Sequence, residues 1–449
     1  MQENSDGIAR RPGISRRRLL EAGAAGTLAV AAAPLLSACG SSAAAAKDGA
    51  KPTGAGKELL SILGLTEGKV AGGISMPIGA SLALSGAGSY YGQVMGNGMN
   101  LAVEHIRQAG GPVLTVVAKD NQSGNPQAGV TSGRDFGAAG VHICQSSFTA
   151  DLGAMLPEIA QYKILTLDGG GGTGNYAQRK PYFWGTIALT PDDTFDGVTT
   201  YLKQQMPSVK RVGAIGQNLG TYESLTVNHL SMALAAAGIT DLGYQEMPLP
   251  TGNTDFSAQL AVLANKRPDL VFAVLYGTDP GYFMKQYATS GIGKPVIGFN
   301  YTPDSAKIAG AAFNGYMFAF DYFDYLAPPN PLSKFFVREY QAKYKTTYVD
   351  PYAANFYEDA LTFWELIRRV KAKGGDATDP TALQEALVAN PTFPSVYGGT
   401  ATSVGSYSFN LTSHSVAKRG LGLYQYQYQS GTIKTLATFN LGGADFRLA

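Results

Sequence analysis

Between residues 78 and 111 the pattern of apolar and polar positions changes period. Ile78, Leu82 and Leu84 belong to an apolar run that Ser85, Gly86, Gly88 and Gly92 break. Met95, Met99, Ala102, Val103 and Ile106 then recur at helical spacing until Gly110 and Gly111 stop them. The pattern predicts a strand, a glycine-punctuated loop and an amphipathic helix. In an open α/β sheet such a loop lies outside the carboxyl end of its strand, where ligands sit. Tyr90 and Tyr91, carried on that loop, are therefore candidate pocket walls.

The same alternation runs on. Apolar runs at 113–118, 141–144 and 163–167 read as strands, with helices at 126–136 and 151–162 between them. The stretch 182–186 breaks the rhythm, and Asp192, Asp193 and Thr194 open the next helix. Strands at 211–215, 241–247, 269–276 and 295–299 follow, with a helix at 254–266. Helices at 332–344 and 351–371 come next, and the tail alternates like a hairpin at 406–409 and 421–428. Strands alternating with helices predict parallel, doubly wound α/β sheets. The 449 residues suffice for two such lobes, each burying its own core.

Composition narrows the class. Hydrophobic residues make up 45% of the chain, which indicates neither a disordered nor a polytopic membrane protein. The formal charge of +2 is carried by the first 38 residues, where five arginines face Glu3, Asp6 and Glu21. The rest of the chain is neutral, which argues against nucleic acid as a partner. Arg16, Arg17 and Arg18 followed by the apolar segment 22–36 form a twin-arginine export pattern. That segment is too short for a bilayer, which needs roughly 20 residues, and reads as a signal sequence. Leu36, Ser37, Ala38 and Cys39 fit a lipobox, so residues 1–38 read as a cleaved leader and Cys39 as a lipidated anchor to the membrane. Residues 39–69, rich in Gly, Ala and Ser, read as a flexible tether. The second cysteine, Cys144, lies in an apolar run and reads as a buried structural thiol.

Catalytic chemistry finds little support. The four histidines (105, 142, 229 and 414) form no H-E-x-x-H, no paired cysteines could hold zinc, and no G-x-S-x-G is present. Asp168 and Asp279 are conceivable as an acid/base pair, which would make the chain an anchored hydrolase. Gly169, Gly171 and Gly174 match G-x-G-x-x-G after a strand, but Pro181 ends the segment before a helix can develop, so no dinucleotide site is expected. No catalytic centre, metal or other cofactor is therefore expected. Ser146, Ser147 and Thr149 join a strand end to a helix start, where hydroxyls and free backbone N–H groups make an anion site. The competing role for Ser147 and Thr149 is helix capping.

The stretch ALSGAGSYYGQVMGNGMNLAVEHIRQAGG resembles the first strand, loop and helix of type I solute-binding proteins of ABC importers. The branch it resembles carries branched-chain and other amino acids, amides or urea. KDNQSGNPQAG is similar to that family's D-x-x-x-x-P-x-x-A turn. The resemblance implies a two-lobed Venus-flytrap fold with three hinge crossovers. Lobe one would comprise 70–188 plus 321–400, and lobe two 189–320 plus 401–449. It implies a small polar ligand in the cleft, with Ser146 holding its carboxylate and Tyr91 walling it. Gly169, Gly171 and Thr173 stand where amino-acid binders read Ala-Ala-Thr. Tyr222, Thr278 and Asp279 are the candidates from lobe two, and Asn300 occupies the place where a carboxylate often pairs the ligand ammonium. A neutral amide cannot compensate a buried positive charge, so either Asp279 takes that role or the ligand is not a simple α-amino acid zwitterion. The implied partners are ABC permease subunits, with the protein a monomer; a ligand sensor of the same fold is the alternative.

Overall fold

The computed structural model describes residues 51–171, 180–188, 191–218, 221–248 and 251–449. The leader, Cys39 and Thr173 lie outside the described residues. Lobe one begins with β1 (Ser75–Leu82), β2 (Val113–Asp120), β3 (Ile143–Ser146), β4 (Leu165–Asp168) and β5 (Phe183–Gly185), all parallel. Lobe two repeats the plan with β6 (Arg211–Gln217), β7 (Thr240–Met247), β8 (Leu270–Val274), β9 (Val296–Gly298) and β10 (Met317–Asp321). Helices connect the strands and cover the sheets. Ile78, Ala80 and Leu82 of β1 and Val271, Phe272 and Val274 of β8 are buried, as strands covered on both faces must be.

The chain then returns to each sheet in turn. β11 (Thr392–Thr400), β12 (Ser403–Asn410) and β13 (Ser415–Val416) extend the first sheet, giving the order β11-β12-β13-β5-β4-β3-β1-β2. β14 (Gly420–Gln427), β15 (Thr432–Asn440) and β16 (Arg447–Leu448) extend the second, in the order β16-β15-β14-β10-β9-β8-β6-β7. The third crossover therefore follows Val416 and does not fall near residue 400. The expected hairpin of 406–409 with 421–428 does not form, because its halves belong to different sheets. Tyr407 and Phe409 point inward and pack edge-on to one another at 5.4 Å, and Phe409 packs against Trp184 at 5.3 Å. Alternation shows that such a segment is a strand; which sheet receives its aromatic face is a tertiary matter.

Part of the stretch 39–69, expected to be a flexible tether, is structured. Residues Gly54–Leu63 form a helix whose Leu59 and Leu60 are buried in lobe one. Thr53 N–H donates to the Gln108 carbonyl at 2.8 Å, and Glu58 pairs with Arg338 at 2.7 Å. Leu59, Leu60, Ile62 and Leu63 supply the apolar face that the Gly/Ala background obscures. No helix among the described residues is long and apolar enough to cross a membrane.

Candidate functional site

The carboxyl ends of β1, β3 and β4 face those of β8 and β9, and two of their loops meet. Ala87, in the first loop, lies against Gly277, which follows β8. A Cβ on Gly277 would stand 2.6 Å from the Ala87 carbonyl oxygen, and its φ of +62° also requires glycine. The Gly277 N–H donates to the Tyr91 hydroxyl at 2.9 Å, so a tyrosine of lobe one accepts from the backbone of lobe two. Tyr91 is 3% exposed.

Tyr91 sits in a nest of rings. Tyr90, Phe148 and Tyr352 surround it at centroid separations of 5.9, 5.9 and 5.4 Å, all edge-on. Phe148 opens the helix Thr149–Tyr162 with φ +69°, a conformation that costs a non-glycine residue about 1–3 kcal/mol and that recurs at ligand sites. Its ring lies where a Cβ on Gly88 would reach within 2.5 Å, so Gly88 makes room for it. Tyr90 donates to Asp350 at 2.9 Å, and Asp350 caps the helix Pro351–Ala372 that carries Tyr352. Burial raises the Asp350 carboxyl to about 6.

Ser146 and Ser147 are fully buried at the end of β3. Ser146 donates to Asp168 at 3.3 Å; Ser147 donates to the Ser81 carbonyl at 2.9 Å and accepts from Asn121 at 3.2 Å. Both hydroxyls thus brace lobe one from within. The side chain of Thr149 lies outside the described residues, as does that of Tyr222 on the helix Thr221–Ala236. Asp168 folds back on the glycine loop, accepting from the N–H groups of Gly170 at 3.3 Å and Gly171 at 3.1 Å. Burial raises its carboxyl to about 7 against these donors. A Cβ on Gly169 would stand 2.7 Å from an oxygen of Asp359, so glycine keeps this loop close to the helix Pro351–Ala372.

From lobe two, Thr278 begins the helix Asp279–Tyr287 beside the Gly277 contact. Asp279 is turned away into its own lobe. It accepts from Gln217 at 3.1 Å, Gly252 at 2.7 Å and Asn253 at 2.9 Å, and burial raises its pKa. Asn300 is 1% exposed and donates to the Tyr352 hydroxyl across the lobes at 3.3 Å, while its Oδ1 has no partner among the described residues. A buried amide oxygen without a donor is costly and is a place where a ligand donor can be satisfied.

The three crossovers converge on Arg419, which sequence reasoning missed. Its side chain is 1% exposed and reaches Asp321 at the end of β10 at 3.5 Å and Glu358 of the helix Pro351–Ala372 at 3.2 Å. It also donates to the carbonyl of Thr186, just after β5, and its guanidinium covers the Tyr397 ring at 4.1 Å. Sequence distance hid the cluster: no motif links residues 186, 321, 358 and 419. Cys144 is buried, and burial drives its thiol pKa upward, as an inert structural thiol requires.

Two α/β lobes joined by three crossovers, with loops meeting at the strand ends, define a recognisable architecture, and residues 75–416 match the model of a family described as periplasmic binding protein. The chain belongs to that family. Solved structures agree on the fold. A solute-binding protein of an ABC transporter from R. palustris, in complex with benzoate, is 19% identical with a TM-score of 0.69, covering 84% of this chain and 98% of its own. The leucine-binding protein LivK of Thermotoga maritima is 17% identical with a TM-score of 0.69, covering 81% and 98%. The branched-chain amino acid transporter substrate-binding protein LivJ of Streptococcus pneumoniae, in complex with isoleucine, is 19% identical with a TM-score of 0.66, covering 80% and 99%. In this binding protein the aromatic nest and the Asn300 amide stand where the two lobes meet and form the candidate cleft. The type I, two-lobed fold expected from the first strand, loop and helix is the fold observed.

Proposed function

We propose that this binding protein is an exported, lipid-anchored substrate-binding component of an ABC importer, held by Cys39. Its ligand is a small carboxylate or amide with a flat apolar body and no α-ammonium group. The observation that carries the ligand class is the pair Asn300 and Asp279. Asn300 reaches the cleft as a neutral amide with an unpartnered oxygen, while Asp279 is committed to three donors of its own lobe. A buried ammonium would find no carboxylate from either residue. Tyr91, Phe148 and Tyr352 supply faces and edges for an aromatic or amide plane. Ligand binding in lobe one followed by closure of lobe two, sealed by the Tyr91–Gly277 contact, gives the state a permease would recognise.

A thermal-shift panel on protein stripped of ligand tests this. Benzoate, 4-hydroxybenzoate and small amides are compared with leucine and isoleucine. A ligand at a hundredfold excess over its Kd stabilises by about 2.7 kcal/mol, which raises the melting temperature measurably. Aromatic carboxylates or amides should shift the melt. A shift with leucine or isoleucine alone would sink the ligand class, and the reading of Asn300 with it.

A further inference from the structure

The face of β10, β14 and β15 that looks toward the second crossover holds a cavity of about 260 Å³ outside the cleft. Phe318 and Phe320 of β10, Tyr424 of β14, and Tyr322, Phe323 and Tyr325 of the crossover line it. Tyr348 adds a seventh ring on the segment that leads into lobe one's helix Pro351–Ala372, and Pro351 itself reaches the cavity. The rings are ordered against one another: Phe318 stacks on Tyr424 at 5.3 Å, and Tyr325 meets Tyr348 edge-on at 5.3 Å.

The lining of this cavity carries a negative charge. Among the described residues Asp324 is the single charged residue of the lining, and no lysine or arginine lines the cavity. One oxygen of Asp324 accepts from the N–H groups of Leu326 at 3.1 Å and Ala327 at 2.9 Å, and no cation pairs with it among the described residues. Burial first, and the Asp324 charge second, raise the pKa of Tyr322 and Tyr325. Asp350 acts likewise on Tyr348, again after burial. Burial disfavours a charge of either sign there; the carboxylates' smaller share of the shift is the part that favours a positive one.

We propose that this cavity is a second ligand site, for a small organic cation with an apolar body, held by aromatic faces and the Asp324 carboxylate. Electron-rich ring faces attract ammonium groups, and the attraction is strongest where water is excluded. A cavity of 150 Å³ accepts a benzene ring, so 260 Å³ holds a ring with an ammonium substituent. The site straddles the second crossover. Phe320 also packs edge-on to Tyr352 at 5.0 Å, which places one layer of rings between this cavity and the cleft. An occupant would touch both lobes at once and so favour the hinge angle that brings Tyr348 to β10 and β14.

The test titrates the full-length protein with benzyltrimethylammonium, following tyrosine and tryptophan fluorescence, beside neutral benzyl alcohol and anionic benzoate. The expected result is saturable binding of the cation about tenfold tighter than that of benzyl alcohol. Asp324→Asn, which keeps the turn's acceptor, should weaken the cation about fivefold, and Tyr325→Ala should weaken it by a similar factor. Asn300→Ala should leave it unchanged. Three results would each overturn the proposal: no saturable binding of the cation, equal affinity for benzyl alcohol, or loss of cation binding in Asn300→Ala. That last result would place the cation in the cleft and leave the question of the cleft's own ligand to the thermal-shift panel.

Discussion

Arg419 lies 3.5 Å from Asp321, and the two residues stand at the third and second crossovers between the lobes. The same guanidinium bonds Thr186 at the first crossover and pairs with Glu358 in lobe one. One buried cation therefore ties together every strand of chain that joins the lobes. Hinges in two-lobed proteins must bend without losing register, and a shared anchor lets three segments turn about one point.

Because the pair is buried, its loss should be severe. Arg419→Met leaves the Asp321 and Glu358 carboxyls without their cation, and such a break costs about 3–5 kcal/mol. Urea unfolding monitored by far-UV circular dichroism should show that loss. Arg419→Lys retains a charge but cannot reach Thr186, Asp321 and Glu358 together through a fork, so it should recover only part of it. A loss below about 1 kcal/mol for the methionine variant would mean that the network stabilises little.

Closure should depend on Tyr91 and Gly277. Tyr91→Phe removes the acceptor of the Gly277 N–H and leaves that donor unpaired in the closed state, at a cost of about 1–3 kcal/mol. The open state, in which water reaches both groups, loses nothing. Ligand affinity should therefore fall roughly fivefold to a hundredfold with little change in the melting temperature of ligand-free protein. Gly277→Ala drives a Cβ to 2.6 Å from the Ala87 carbonyl and should prevent the same contact sterically. Calorimetric titration and small-angle scattering would show weak binding together with a radius of gyration that no longer contracts. Unchanged affinity in both variants would remove this contact from the closing mechanism.

The sequence made some of this legible. The repeated strand and helix periods placed eight of the ten strands β1–β10 because buried α/β strands are short apolar runs with glycine or polar stops. The first loop was readable because its glycines fall where a strand ends, although Tyr90 and Tyr91, read as part of it, stand in the first turn of the helix Ser89–Gln108. What stayed hidden depended on contacts between distant residues. Asp279 was a candidate ligand group, yet Gln217, Gly252 and Asn253 claim it from three other segments of lobe two. Phe148 reads as an ordinary core residue until its positive φ and its place beside Tyr91 are seen. Tyr352 looks like one more aromatic on a buried helix, and Arg419 like a surface arginine beside Lys418.

Asp168 gives the fold a distinct response to pH. Its carboxyl is raised by burial to about 7, against about 3.9 in an unfolded chain. A carboxyl whose pKa is raised on folding stabilises the fold fully below its unfolded value, and that contribution is lost as pH rises through the folded value. The window therefore runs from about pH 4 to about pH 7. Asp168→Asn keeps an acceptor for Gly171 and abolishes the titration. Relative to the parent, the variant should gain stability as pH rises across this window, by an amount on the order of a few kcal/mol. Denaturant midpoints at pH 5, 6, 7 and 8 measure it, and parallel curves for the two proteins would show that Asp168 does not titrate there.

The helix Gly54–Leu63 decides where lobe one begins. Leu59 is fully buried in lobe one, whereas the Glu58–Arg338 pair lies on the surface with side chains about half exposed. The two interactions therefore have different weights. Leu59→Ala should cost about 2–5 kcal/mol through lost burial and the cavity left behind. Glu58→Gln should cost no more than about 1 kcal/mol, because solvent and salt screen an exposed pair. If Leu59→Ala lowered stability no more than Glu58→Gln, the helix would be a peripheral attachment and the flexible segment would extend to β1. If it costs several kcal/mol, the helix is an integral part of lobe one and the lobe begins at Gly54.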